Sequence, residues 1–169
     1  MSRARLLCAL AGLAFGFAFY FAYRSDSTLS NRLVRWLCTP ADYAHAKQQV
    51  RAWLPVPVAL RGCLPSALWC FIVATLLGEW RIPLWRVRTL PLAWIGVFFN
   101  AGWEAIQWAG WTDGRRDWRD VAAGLAGWAV ANLIPFEHEH DTVVALRWSW
   151  RWGIVAFGFA CMGLADVSK

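Results

Sequence analysis

The chain has 169 residues, 59% of them apolar. With its 13 glycines, about two thirds of it avoids water, against roughly 45–50% in an ordinary soluble domain. Charged side chains make up 17% and are bunched between long stretches that carry none, which excludes a disordered or nucleic-acid-binding tail. The formal charge of +6 sits beside those stretches, in Arg81, Arg86 and Arg88, in Arg115, Arg116 and Arg119, and in Arg147 and Arg151. Membrane lipids with anionic headgroups, and no nucleic acid, are the partners this placement fits.

In chain order, a short basic start (Met1 to Arg5) leads into the apolar run Leu6 to Tyr23. That run is too long for a usual signal-peptide core and ends in Phe-Ala-Tyr-Arg rather than a small-x-small cleavage site, so a retained first span over about 6–23 is expected. Ser25 to Leu60 is the longest hydrophilic piece. Within it, about 41–54 places Tyr43, Ala46, Val50 and Trp53/Leu54 on one helical face, with Lys47, Gln48 and Arg51 elsewhere, as an amphipathic helix lying along the membrane surface would. Pro55 and Pro57 end it. Further spans are expected over about 62–78, 90–111, 119–136 and 148–165.

Tryptophan supports a membrane setting: most of the 14 lie at the ends of these stretches or in the basic connectors, where an amphipathic ring suits the headgroup level. The fold class expected is therefore all-α, a single polytopic membrane bundle over 1–169 with four or five transmembrane helices and an interfacial helix. The short basic connectors favour a cytoplasmic N terminus in an inner membrane. No inverted repeat is visible, which disfavours a monomeric secondary transporter. Gly12 and Gly16, and Ala123, Gly127 and Ala131, recur at four-residue spacing and predict close helix approach, within the chain or to a membrane protein partner.

Neither metal nor cofactor is expected. Glu137-His138-Glu139-His140-Asp141 alternates imidazole and carboxylate, but His138 and His140 would point to different faces of a helix, and a solvated acidic loop is the simpler reading. The five cysteines show no CxxC spacing; Cys38 with Cys63 is the one pair that could bridge, and otherwise the thiols fall mainly inside spans and act as small apolar residues. No Ser/His/Asp triad, P-loop or dinucleotide fingerprint is present.

The informative residues lie on the third and fourth stretches. Asn100, Glu104 and Gln107 are spaced i, i+4, i+7 and share one helical face. A carboxylate at depth costs several kcal/mol unless it meets a partner or water, so Glu104 should face the bundle interior or a wet cleft. Downstream, Gly114-Arg115-Arg116-Asp117-Trp118-Arg119-Asp120 leads into a helix on which Asp117, Asp120, Gly124 and Gly127 share a face. A hairpin would bring Glu104 and Gln107 close to Asp120 and one of the arginines.

Glu104-x-x-Gln107, a turn with Gly114-Arg115, Asp117 and Asp120, and a following glycine resemble the signature of VanZ-like membrane proteins. The match covers Glu104 to Gly127. It departs in having Gly124 where the family pattern has asparagine, and in a loop one residue shorter if Arg115 is the equivalent arginine. The resemblance implies a bacterial inner-membrane protein linked to the cell envelope and, in some members, to glycopeptide-antibiotic resistance; it brings no settled chemistry.

Two readings of the polar cluster follow. In one, Asn100, Glu104, Gln107, Asp117 and Asp120 with Arg115 or Arg116 form hydrogen-bonded glue between two helices. In the other, the same residues bind a lipid or lipid-linked envelope precursor, the arginines clamping a phosphate and Glu104 or Asp120 serving as base if there is turnover. At the level of function these become a non-catalytic lipid-binding envelope protein, a small enzyme acting on a lipid phosphate, or an accessory subunit of a larger membrane complex.

Overall fold

The computed structural model describes residues 3–26, 28–78, 81–84, 88–111 and 117–134, with positions 153 and 156 besides. Over these residues the architecture is all-α, with six α-helices: α1 Arg3–Tyr23, α2 Leu29–Leu37, α3 Pro40–Trp53, α4 Leu64–Leu77, α5 Ile95–Trp108 and α6 Trp118–Leu133. A short antiparallel ribbon joins α4 to α5, β1 Arg81–Leu84 pairing with β2 Arg88–Pro91 in the register Arg81↔Pro91 to Leu84↔Arg88. Prolines at 83 and 91 deny this stretch a helix. All of the fifth expected span but positions 153 and 156, the acidic loop 137–141, Arg115 and Arg116 lie outside the described residues.

Lengths correct the expected spans. At 1.5 Å per residue, the 21 residues of α1 reach about 32 Å, enough for a hydrocarbon core of about 30 Å. The stretches 62–78, 90–111 and 119–136 yield helices of only 14, 14 and 16 residues, about 21–24 Å long. The strand at 88–91 and a 3₁₀ turn at Leu92–Trp94 consume the start of the expected third span. Among the described residues, one helix is thus long and apolar enough to cross a membrane, α1, and an N-terminal helix of this kind fits an anchor or a signal sequence alike.

At the centre stands α4, apolar all round and buried along most of its length, as a helix enclosed by neighbours must be. Ile72, Val73, Leu76 and Leu77 pack with Ala9 of α1 and with Leu92, while Ala74 meets Ala93 and Ala131. Small residues set the spacing. A Cβ on Gly127 would lie 1.9 Å from the Ala67 carbonyl oxygen, and one on Gly12 would lie 3.1 Å from Ile72, so Gly127 and Gly12 face α4 within this chain while Gly16 meets nothing within 4 Å.

Arg5, fully buried, lies at the far end. Its guanidinium donates to the carbonyls of Thr75 (3.3 Å), Ala131 (3.4 Å) and Ile134 (3.2 Å), the last turns of α4 and α6. A cation there answers the unpaired carbonyls and the negative ends of both helix dipoles. These contacts bring the start of α1 to the ends of α4 and α6, so α1 runs antiparallel to both. The end of α1, the start of α6 and the segment 24–63 therefore gather at the opposite pole.

That pole departs from the expected surface helix in one respect. Tyr43 and Lys47 are the buried residues of α3, while Trp53 is 90% exposed. Lys47 donates to the Arg24 carbonyl (3.1 Å) and Arg51 Nε to the Ala22 carbonyl (2.7 Å), so cations one turn apart on α3 cap the end of α1. Unpaired carbonyls at a helix end outrank the apolar stripe in choosing the docked face. Thr39 starts α3 as N-cap, accepting from the Asp42 amide (3.2 Å) with Pro40 in the first turn.

Candidate functional site: a polar latch between two helices

Gly110 ends α5. Its φ of +74° is the left-handed conformation, and the Gly110 and Trp111 amides return to the carbonyls of Gln107 (3.1 Å) and Ile106 (3.2 Å) in a Schellman closure. At the other side of the turn, Asp117 opens α6 as N-cap, its carboxylate accepting from the Arg119 amide (3.0 Å). Asp at the cap and Asp120 three residues later is a helix-start pattern readable in the sequence, alongside the role as ligand given to Asp117 above.

The predicted hairpin brings α5 and α6 together through two hydrogen bonds. Asn100, buried, donates from Nδ2 to the Asp120 carbonyl (2.8 Å), and the Asp117 amide donates to Glu104 Oε2 (3.0 Å). The carboxylate thus meets one of the orphan amides at the start of α6, where the helix dipole favours a negative charge. Glu104 is half-buried. Gln107, half-buried and one turn further along the same face, has its Oε1 enclosed with no hydrogen-bond partner among the described residues.

The glycine at 124 has a steric cause. A Cβ built there would lie 2.5 Å from Asn100 Nδ2 and 3.0 Å from Cys70 Sγ. The room that a side chain at 124 would need is filled from α5 by the amide of Asn100, so the asparagine of the VanZ-like pattern has no space at this position.

The expected cations of the cluster, Arg115 and Arg116, fall outside the described residues. Arg24, at the end of α1, bears on Asp120 through space, together with the carboxylates of Glu104 and Asp117. Its guanidinium carbon sits 5.4 Å from the centre of the Tyr20 ring. Sequence reasoning missed Arg24 because it is some 80 residues from Glu104 and only the antiparallel return of α6 along α1 brings it in.

A second polar assembly stands beside the end of α1. Asp26 accepts from Lys47 and from the Tyr43 hydroxyl (2.7 Å). These bonds hold its carboxyl below the usual 3.8, and burial with the adjoining carboxylate pushes the Tyr43 phenol up to about 12. Among the described residues no group of three or more metal-ligating side chains occurs. Cys38 and Cys63 are both free thiols.

No family model matches the chain, and no curated protein or solved structure does either.

Proposed function

We propose that the chain is an integral membrane protein of the VanZ-like kind, resident in a bacterial inner membrane and serving the cell envelope by binding an anionic lipid or lipid-linked ligand beside the α5–α6 latch. One observation carries this reading. Exposed tryptophans (Trp36, Trp53, Trp108, Trp111 and Trp118) gather at the pole that holds the latch and the arginines of segment 24–61, while Leu7, Leu10, Phe17, Phe98, Phe99, Val130 and Leu133 keep the flanks of the helices apolar and exposed. Apolar flanks ending in a belt of Trp and Arg match hydrocarbon bounded by headgroups.

On α2, Leu33, Trp36 and Leu37 are exposed at i, i+3 and i+4, so α2 rather than α3 is the helix that would bury an apolar stripe in the interface. Within the latch, Asn100 and Glu104 join the helices. Contact with the anionic group then falls to Arg115 and Arg116, which the sequence places just before Asp117, while the unpaired Oε1 of Gln107 can accept from a headgroup hydroxyl. In the latch the Glu104 carboxylate accepts from the Asp117 amide and Asp120 is engaged through its backbone carbonyl, which supports a holding role for both residues and, with it, the binding reading.

The experiment compares Glu104→Gln and Arg116→Ala with the parent, measuring extraction from membranes by alkaline carbonate, thermal stability in detergent and co-purified lipid by mass spectrometry. An amide at 104 still accepts from the Asp117 N–H, so E104Q is expected to fold, and R116A is expected to remain in the membrane fraction with its anionic lipid lost. Parent protein released by carbonate, or purified without lipid, overturns the reading. A second reading, an accessory subunit, draws on Gly16 and Gly102, where a Cβ would meet nothing within 4 Å and a partner helix could approach closely. Co-purification of a stoichiometric membrane protein is its signature.

A further inference from the structure

Between the end of α1 and the connector that follows α3 lies an open cavity of about 590 Å³, lined by Tyr23, Arg51, Pro55, Val56, Pro57 and Arg61. It lies outside the α5–α6 latch, and its making is chemically one-sided. The Tyr23 hydroxyl donates to the Leu54 carbonyl (2.5 Å) and accepts from the Val56 amide (3.1 Å), which pins the connector to α1. Pro55 and Pro57 have no amide to offer. The two guanidinium groups are each fixed by one edge: Arg51 Nε donates to the Ala22 carbonyl (2.7 Å) and Arg61 Nε to the Val56 carbonyl (3.0 Å). Both guanidinium carbons lie against the Tyr23 ring, 6.0 and 4.6 Å from its centre.

Three consequences follow. The helix-terminal carbonyls at this place, Ala22 and Leu54, already accept hydrogen bonds, which offsets the negative ends of α1 and α3. Among the described residues no carboxylate lines the cavity, and Asp26, at the end of α1, is engaged with Lys47 and Tyr43. The terminal amino groups of Arg51 and Arg61 take no hydrogen bond among the described residues, which leaves two forks, each held by its Nε and by the Tyr23 ring, of the kind that receives oxyanions.

We propose that this cavity is a phosphate site, taking the phosphate of a lipid headgroup or a free phosphate ion on the forks of Arg51 and Arg61. It rests on residues distinct from Glu104, Gln107 and Arg116, so it stands or falls separately from the ligand reading of the latch. The full chain, in nanodiscs of phosphatidylcholine with one quarter phosphatidylglycerol, is compared with Arg51→Gln/Arg61→Gln and with Arg32→Gln/Arg35→Gln, which removes the same charge from the same segment but not from the cavity. Native mass spectrometry reads phosphatidylglycerol retained after detergent release, and phosphorus NMR reads binding of inorganic phosphate.

Each lost charge-assisted pair is expected to lower retention or phosphate affinity about tenfold or more, with the Arg32/Arg35 variant within about twofold of the parent. Lipid retention that depends on Arg51 and Arg61 identifies a headgroup; phosphate binding that depends on them with lipid retention unchanged identifies a free phosphate site. If neither measurement distinguishes the cavity variant from the parent, or if the Arg32/Arg35 variant loses as much, the proposal is overturned. Should the glutamine variant unfold, Arg51→Lys/Arg61→Lys keeps the charge and loses the fork: weakened phosphate binding or phosphatidylglycerol retention in it supports the proposal, and parent-like values for both overturn it.

Discussion

A residue without a side chain controls the tightest contact in the bundle. At Gly127 an added Cβ meets backbone, 1.9 Å from the Ala67 oxygen and 2.7 Å from its carbonyl carbon, and helix backbone cannot swing aside as the end of a side chain can. Gly127→Ala is therefore expected to push α6 off α4 and to cost about 3 kcal/mol or more, the upper end of overpacking penalties. Gly16, also inside a helix, meets nothing within 4 Å, and there alanine is expected to raise stability by about 0.5–1 kcal/mol through its better helix propensity. Thermal unfolding of the two variants in one detergent gives the comparison; equal effects would sink the close-approach account. The four-residue spacing marked both glycines equally in the sequence, and only the position of α4 separates the one that is required from the one that is not. Arg5 shows the converse: its place before an apolar run read as a topology signal, whereas its guanidinium caps two helices whose ends are more than 70 residues away in the chain.

The hairpin of α5 and α6 was legible at the scale of elements because its determinants are local: one helical face carrying Asn100, Glu104 and Gln107, a glycine at the stop and an aspartate at the next start. Helix lengths were not, since hydropathy runs straight through 89–94 while Pro91 and a strand interrupt the helix there. Nor was the docked face of α3, where Lys47 and Arg51 answer carbonyls that belong to another element. That docking carries a pH signature. Asp26 has its pKa lowered on folding by the Lys47 and Tyr43 hydrogen bonds, so its contribution is present above about pH 4 and lost as pH falls through the folded value. Tyr43 has its pKa raised to about 12, so the phenol's contribution is present below about pH 10 and lost as pH rises through about 12. Amide protection over 40–53, taken relative to the intrinsic exchange rate at each pH, is expected to be greatest between these limits and to fall at both, and Asp26→Asn is expected to abolish the acid limb while burial still raises Tyr43. Because Asp26 is largely exposed, the change is a local undocking rather than global unfolding. An acid limb that persists in the asparagine variant would assign it to another carboxylate.

For the whole molecule the polarity is set by antiparallel packing. Arg5 at one pole and the Tyr23 to Arg61 assembly at the other fix α1 as the axis, and the exposed tryptophans of α2, α3, α5 and the start of α6 fall at the second pole. If that pole lies among headgroups, Trp36, Trp53, Trp108, Trp111 and Trp118 share a narrow depth, whereas Trp69, buried in the central helix, is shielded from lipid altogether. Variants retaining a single one of these residues, the other tryptophans replaced by phenylalanine, are expected to be quenched most strongly by lipids that carry a nitroxide near the headgroup, and weakly by lipids labelled at the chain terminus. The variant retaining Trp69 is expected to respond to neither. A soluble bundle gives a different pattern, with the exposed rings quenched by aqueous iodide and indifferent to every labelled lipid. The two patterns separate on depth alone, and depth is the quantity that turns short helices of 14 to 16 residues into either partial spans or the walls of a core. With about 32 Å of its own, α1 can cross unaided, while α4 is enclosed by its neighbours and needs no contact with lipid to be as apolar as it is. The test of membrane residence therefore belongs to the rings at the rim and to the outward faces of α1, α5 and α6, where Phe17, Phe98 and Leu133 stand exposed.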